Sequence, residues 1–177
     1  MSISYSPFVF AGGGSADIQM TISDSSTLPQ YAFRPSGTVY GQMCKSVKAF
    51  RSKTLTIIGA YGLNGMDVLE ELELPNLTSL GDYALAASTS SAGSSSPLKV
   101  IDLPKLQGTG VYAFRYRSTL ESVTLGSVGN PVARLATTAF SVCTQSTLSI
   151  IIYTEDGSEL SGSPWGATNA NIEFRAA

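Results

Sequence analysis

The residues best suited to chemistry in this chain are carboxylates. Glu70, Glu71 and Glu73 fall within four positions, and Asp102 and Glu121 follow. Two carboxyl groups at a fixed separation suffice for acid–base cleavage of a glycosidic bond, so Glu71, Glu73 and Asp102 form the one hydrolytic constellation the sequence offers. Other chemistries lack their parts. The chain of 177 residues has no histidine, which removes Ser-His and Cys-His nucleophile pairs, the usual proton shuttle near neutral pH and most catalytic zinc sites. Cys44 and Cys143 are far apart in sequence, and neither has a nearby Cys or His of the kind that chelates zinc; both read as small core residues. No G-x-x-x-x-G-K-[ST] phosphate loop occurs, and Gly12-Gly13-Gly14 lacks the strand–loop–helix setting of a dinucleotide fingerprint. Glu155-Asp156 precedes Gly157 and reads as a turn. Asn76-Leu77-Thr78 has the pattern of a glycosylation acceptor, which matters only in a eukaryotic secretory setting. The expectation is therefore of no catalytic residue, no cofactor and no metal, with the carboxylates facing solvent from a sheet.

Composition narrows the class of protein. Hydrophobic residues make up 43% and charged residues 14%, with a net charge of −2, a balance that suits short strands and tight turns in one β-rich domain. No run of Lys or Arg supplies a phosphate-binding surface, so nucleic acid is not an expected partner. Met1 to Phe10 holds no basic residue and only a short apolar patch at Pro7, Phe8, Val9 and Phe10, so no signal peptide is read there. No segment approaches the roughly twenty apolar residues of a membrane span.

The elements that would position these side chains recur with a period. Four segments carry apolar residues in the register L-x-x-L-x-L: Leu69, Leu72, Leu74; Leu98, Ile101, Leu103; Leu120, Val123, Leu125; and Leu148, Ile151, Tyr153. A second motif precedes them in step, as Gly59-Ala60-Tyr61-Gly62-Leu63, Gly81-Asp82-Tyr83-Ala84-Leu85, Gly110-Val111-Tyr112-Ala113-Phe114 and a weaker Thr138-Ala139-Phe140. An earlier copy runs through Tyr31-Ala32-Phe33, then Val47 and Phe50, with Ser52 at the third apolar position. The spacings from Tyr31 through Tyr61, Tyr83 and Tyr112 to Thr138 are 30, 22, 29 and 26 residues. The longer ones absorb insertions, such as the Ser-rich stretch from Ala86 to Pro97 with Ser94-Ser95-Ser96, read as a mobile edge loop. The strand register is that of leucine-rich repeats, whose turns bury one continuous core by stacking. The Tyr-Ala-Phe element is expected as a short helix or turn behind the sheet, its tyrosines forming a core or back-face ladder, and Gly59, Gly81 and Gly110 are expected where the backbone bends sharply.

Gly-x-Tyr-Ala-Phe followed by Leu-x-x-Val-x-Leu, seen as Tyr112-Ala113-Phe114 through Leu120, Val123 and Leu125, resembles the BspA-like leucine-rich repeat family over roughly residues 28 to 155. Leu-Pro endings fit at Leu74-Pro75 and Leu103-Pro104, whereas Leu125-Gly126 and Tyr153-Thr154 depart from the pattern, and the Cys expected after Phe appears once, as Cys143. The resemblance implies a leucine-rich-repeat solenoid: a parallel sheet of about five stacked strands with short helical or turn segments. Residues 1–27 are expected to supply N-terminal cap strands, 28–155 the solenoid and 156–177 a C-terminal cap, in which Trp165 covers the end of the core. The family also implies an extracellular, cell-surface or virion setting.

Within that frame the outward strand positions form the expected binding face: Lys48, Arg51, Glu70, Glu71, Glu73, Lys99, Asp102, Glu121, Thr124, Ile150 and Ile152. Ile150 and Ile152 are unexpected on a free surface and are predicted to meet the C-terminal segment or a partner subunit. The functional expectation is a non-catalytic binding or adhesion module that presents this face to a protein or surface glycan. The alternative is an architectural or self-assembling subunit of a virion or cell-surface structure, with the ends of the stack joining copies into a homo-oligomer.

Overall fold

Apolar runs bounded by Gly, Pro and Ser become strands of two to six residues. The computed structural model describes residues 3–5, 18–33, 44–88 and 97–177. The expectations for Pro7 to Phe10, for Gly12-Gly13-Gly14, for Ser94-Ser95-Ser96 and for the side chain of Cys44 lie outside the described residues. In chain order the strands are β1 (Ile3–Tyr5), β2 (Ile18–Ile22), β3 (Thr27–Leu28), β4 (Val47–Arg51), β5 (Ile57–Ile58) and β6 (Glu71–Glu73). They continue as β7 (Ser79–Leu80), β8 (Val100–Leu103), β9 (Gly108–Thr109), β10 (Ser122–Leu125), β11 (Ser149–Thr154) and β12 (Asn171–Ala176). One 3-10 turn, Cys44–Ser46, is the only helical element among the described residues, so the Tyr-Ala-Phe segments are turns and not helices.

The protein is β-rich and its pairing is parallel except between β1 and β2. The strands form three four-stranded sheets, ordered β1-β2-β4-β6, β12-β11-β10-β8 and β3-β5-β7-β9, where one sheet of about five strands was expected. Two physical features account for the difference. The β3-β5-β7-β9 strands are two residues long, too short for alternation to be read. Between β6 and β8 the ladder is interrupted, although their Cα atoms come within 8 Å.

One apolar cluster runs from Met20 to Ala167 and touches all three sheets. Its rows follow the ladders. Met20, Phe50 and Leu72 stand in register, as do Ile101, Val123, Ile150 and Ile172, and then Leu103, Leu125, Ile152 and Phe174. The β11 row corrects the sequence reading. Ile150 and Ile152 are 0% exposed core residues, not members of an outward face, while Ile151 and Tyr153 are half-buried on the other side. The pairing of Val123 with Ile150 fixes this: Leu148 and Ile150 are two residues apart, whereas Leu120 and Val123 are three apart, so the strand enters one residue early. The two isoleucines do lie beside the C-terminal strand, opposite Ile172 and Phe174. Trp165 is also 0% exposed, donates from its indole nitrogen to Ser161 O at 3.0 Å and meets Phe174 edge-on. Ser52, in an apolar column, is buried but satisfied: its hydroxyl donates to Ile22 O at 2.7 Å and accepts from Leu55 N–H at 3.1 Å.

The glycines expected at bends stand just before turns, and what requires glycine there is close approach. Gly59, Gly81 and Gly110 do not have positive φ. They are needed because a Cβ would lie 2.7 Å from Gln30 N, 2.5 Å from Ala60 N and 2.5 Å from Asp82 N, respectively. Each glycine lets its segment lie against the one before, and each N–H reaches that segment: Gly59 to Leu28 O, Gly81 to Ile58 O and Gly110 to Leu80 O, at 2.7 to 2.8 Å.

Gly81→Ala is expected to cost roughly 1–3 kcal/mol by forced overpacking, read as a lower denaturant midpoint. Truncating Ile152 to Ala should cost about 2–5 kcal/mol, against well under half of that for Ile151→Ala. Equal losses for the two isoleucines would contradict the β11 register.

Candidate functional site

The outward side chains of the strands form a surface of cross-strand pairs, with residues in register about 5 Å apart on one face. On the sheet ending in β6, Arg51 is the hub. It donates to Gln19 Oε1 at 3.1 Å, bonds Glu71 and lies 3.8 Å from Glu73. Lys48 pairs with Glu70 at 3.4 Å. On the sheet beginning at β8, Lys99 pairs with Glu121 at 2.7 Å. These pairs are half exposed and each contributes only about 0.2–1 kcal/mol, so they order the surface more than they stabilise the fold. Ala49 lies between Gln19 and Glu71 in the ladder and is buried, beside the long charged side chains.

Of the residues expected on this face, the structure groups Lys48, Arg51, Glu70, Glu71 and Glu73 on one sheet and Lys99, Asp102, Glu121 and Thr124 on another. Ile150 and Ile152 are removed from it by burial. Asp102 is exposed and opposite Thr124, and the row continues through Ile151 to Glu173. A parallel row joins Val100, which is 56% exposed, to Ser122, Ser149 and Asn171. The first sheet's outward face is thus mostly ion-paired, while the second carries small polar and aliphatic residues beside the Lys99–Glu121 and Glu173–Arg175 pairs. Of the carboxylates considered for hydrolysis, Glu71 and Glu73 are held by Arg51, and Asp102 lies on β8 opposite Thr124. Among the described residues no group of three or more His, Cys, Asp or Glu is placed to hold a metal ion.

A second organised surface is the tyrosine ladder. The rings of Tyr31, Tyr61, Tyr83 and Tyr112 stack at centroid distances of 5.1, 4.7 and 4.9 Å. Arg115 extends it, its guanidinium 4.8 Å from the Tyr112 ring and 4.3 Å from that of Tyr116. All four ladder tyrosines have φ between 55° and 60°, a left-handed conformation that costs a non-glycine residue about 1–2 kcal/mol. Stacking contributes about 0.5–1.5 kcal/mol per pair, and inter-segment hydrogen bonds add to it: Tyr31 N–H donates to Ala60 O, Tyr61 N–H to Asp82 O and Tyr83 N–H to Val111 O. The ladder lies at the surface, not in the core, with Tyr31 46% exposed. Because Tyr61 and Tyr83 are faced by a ring on either side, they offer edges and hydroxyls, not the open ring faces on which sugars stack.

Sequence reasoning missed Arg117, which is 0% exposed. It donates from Nε to Leu85 O at 2.7 Å and from Nη1 to Met66 O at 3.0 Å, tying three successive segments together. Burial lowers its pKa to about 10, with Asp67 and Cys143 opposing the shift. Cys143 donates its thiol to Phe114 O at 3.2 Å, and burial raises its pKa to about 12, against the pull of Arg117. Met66, Arg117 and Cys143 occupy the same place three residues after Leu63, Phe114 and Phe140; that recurrence was the available signal. Asn76, in the glycosylation-like triplet, donates to Lys53 O and accepts from Lys105 Nζ, both at 2.8 Å, and so serves as a tie between neighbouring segments. No helix among the described residues is long and apolar enough to cross a membrane.

No family model, curated protein or solved structure matches the chain significantly. The likeness to BspA-like repeats rests on the residues of the chain themselves.

Tyr83→Ala removes two stacked contacts and is expected to lower stability by roughly 1–3 kcal/mol; Tyr83→Gly, which relieves the left-handed strain, should recover part of that loss. The raised pKa of Cys143 means that its neutral thiol supports the fold fully below pH about 9, and that this support is lost as pH rises from there toward about 12, because only the unfolded chain ionises readily. Arg117 works in the opposite direction above pH about 10. The denaturation midpoint should therefore fall between pH 8.5 and 10, within the window set by ordinary thiol ionisation, and fall less steeply in Cys143→Ala.

Proposed function

We propose that the chain is a leucine-rich-repeat solenoid of the BspA-like kind and acts as a non-catalytic binding module at an extracellular, cell-surface or virion location. In this reading the three sheets are sides of one stack, with β1-β2-β4-β6 and β8-β10-β11-β12 as successive parts of one side. The observation that supports it is the in-register placement of equivalent side chains along β8, β10, β11 and β12, which lays two outward rows across four consecutive strands. A surface of that kind recognises a partner by extended shape and many small contacts, as repeat proteins do. Its chemistry favours a protein partner or a surface glycan approached through Val100, Asp102, Ser122, Thr124 and Ile151, with the Arg51–Glu71–Glu73 cluster at one margin. Paired charges add little long-range attraction but penalise a partner that cannot replace them.

The test is a glycan and surface-protein array probed with the purified chain, followed by Val100→Glu and Thr124→Arg on any ligand found. Each substitution is expected to weaken binding about tenfold or more, a difference of about 1.4 kcal/mol, while circular dichroism stays unchanged. Unaltered binding in both variants removes the assignment to this face. Alanine at Glu71, Glu73 and Asp102 together is expected to leave any hydrolytic background unchanged; its loss would reverse the non-catalytic reading.

A further inference from the structure

Among the described residues, the last strand ends its sheet with an unpaired edge. Among the described residues β12 pairs only with β11. Asn171 N–H donates to Leu148 O and Ala177 N–H to Thr154 O, both at 2.8 Å, so the odd-numbered residues turn their backbone groups toward β11. Successive residues of a strand alternate in this respect, and the N–H and C=O of Ile172, Phe174 and Ala176 therefore point to the open edge. The same three residues lie on the inward side of the strand, where Ile172 and Phe174 are half-buried against the end of the core. Glu173 and Arg175 face outward and are paired at 2.7 Å, and this hydrogen bond holds the Glu173 carboxyl below its ordinary range. An edge of this length with apolar residues behind it is a template for strand addition.

We propose that a second copy of this chain pairs with it along β12, antiparallel and about a two-fold axis at Phe174. Matching one open edge to another requires edge-facing residues to oppose edge-facing residues, which restricts the central registers to those with the axis at Glu173, Phe174 or Arg175. Centring on Glu173 sets Glu173 against its own copy, and centring on Arg175 sets Arg175 against its own; like charges directly opposed are destabilising. Centring on Phe174 sets Glu173 opposite Arg175 of the partner subunit, twice. It also sets Phe174 against its copy and Ile172 against the partner's Ala176, which uses all the free edge groups in about six inter-chain hydrogen bonds and extends the apolar rows across the junction. Such an isologous contact closes on two copies. It leaves the outward rows of β8, β10 and β11 open, so it stands or falls independently of the proposed ligand-binding role.

Sedimentation equilibrium on the full chain, from low to high micromolar, is the test. A monomer–dimer equilibrium is expected. Glu173→Arg and Arg175→Glu should each weaken it about tenfold or more by opposing like charges, and the double exchange Glu173→Arg with Arg175→Glu should restore it. Ala176→Pro removes an edge-facing N–H without touching the β11 ladder, a place where an edge strand tolerates proline, and should abolish the dimer while the fluorescence of buried Trp165 stays native. Amide exchange on the unaltered chain supplies a readout that no variant's folding can obscure: protection at Ile172, Phe174 and Ala176 should rise with concentration. A monomer at every concentration overturns the proposal. So does a dimer indifferent to Ala176→Pro and to both charge reversals, or protection at those three amides that does not change with concentration.

Discussion

Consecutive segments of this protein lie so close that the backbone of one occupies the space where the next would carry a Cβ. At Gly59, Gly81 and Gly110 the contact leaves no room for even a methyl group, and the amide of each glycine bonds the carbonyl of the preceding segment. This approach sets the spacing between these segments. It brings the Tyr rings to stacking distance, holds the two-residue strands β3, β5, β7 and β9 in ladder contact, and lets aliphatic rows close over one another. The left-handed tyrosines are tolerated in this setting because Tyr61 and Tyr83 have a ring on either side, Tyr31, Tyr61 and Tyr83 bond the next segment, and Tyr112 meets the Tyr83 ring and the Arg115 guanidinium.

From that spacing follows the surface. Residues with no contact in sequence become neighbours in register, so Arg51 meets carboxylates some twenty positions further on and Lys99 meets Glu121. Charge on this face is therefore largely answered within the molecule. What it offers outside is mainly a regular array of hydroxyls, amides and a few aliphatic side chains, and the proposed binding role draws on that array and not on an electrostatic field. Arg117 shows the same logic turned inward: a cation removed from water is tolerated because main-chain carbonyls of two other segments converge on it.

Much of this was legible in the sequence. The three-and-two spacing of Leu98, Ile101 and Leu103, or Leu120, Val123 and Leu125, states which side of a strand is buried. The run Ile150-Ile151-Ile152 carries no alternation, and extrapolating the earlier spacing placed Ile151 inside and Ile150 and Ile152 outside; only the ladder with β10 settles the register. Gly59, Gly81 and Gly110 advertised a backbone requirement, but a sharp bend and a close approach look alike in a sequence. The left-handed tyrosines gave no sign, since that conformation is ordinarily the province of Gly and Asn. Arg117 was hidden because its partners are carbonyls 32 and 51 residues away, and carbonyls are the one group every residue has. The outward carboxylates were found, yet their pairing with Arg51 depends on which strands adjoin, and that is a property of the fold.

The unequal distances between ladder tyrosines carry a consequence for how such a chain can change. A stretch of 22 residues and one of 30 both return the ring to the same stack, so the length of the intervening segment does not set the distance from one ring to the next. Segments between one ring and the next can therefore differ in length without breaking the stack, whereas one residue inserted between Gly81 and Tyr83 would part the ring from the backbone contact that places it. Variation and constancy are thus assigned to different places in each turn of the chain.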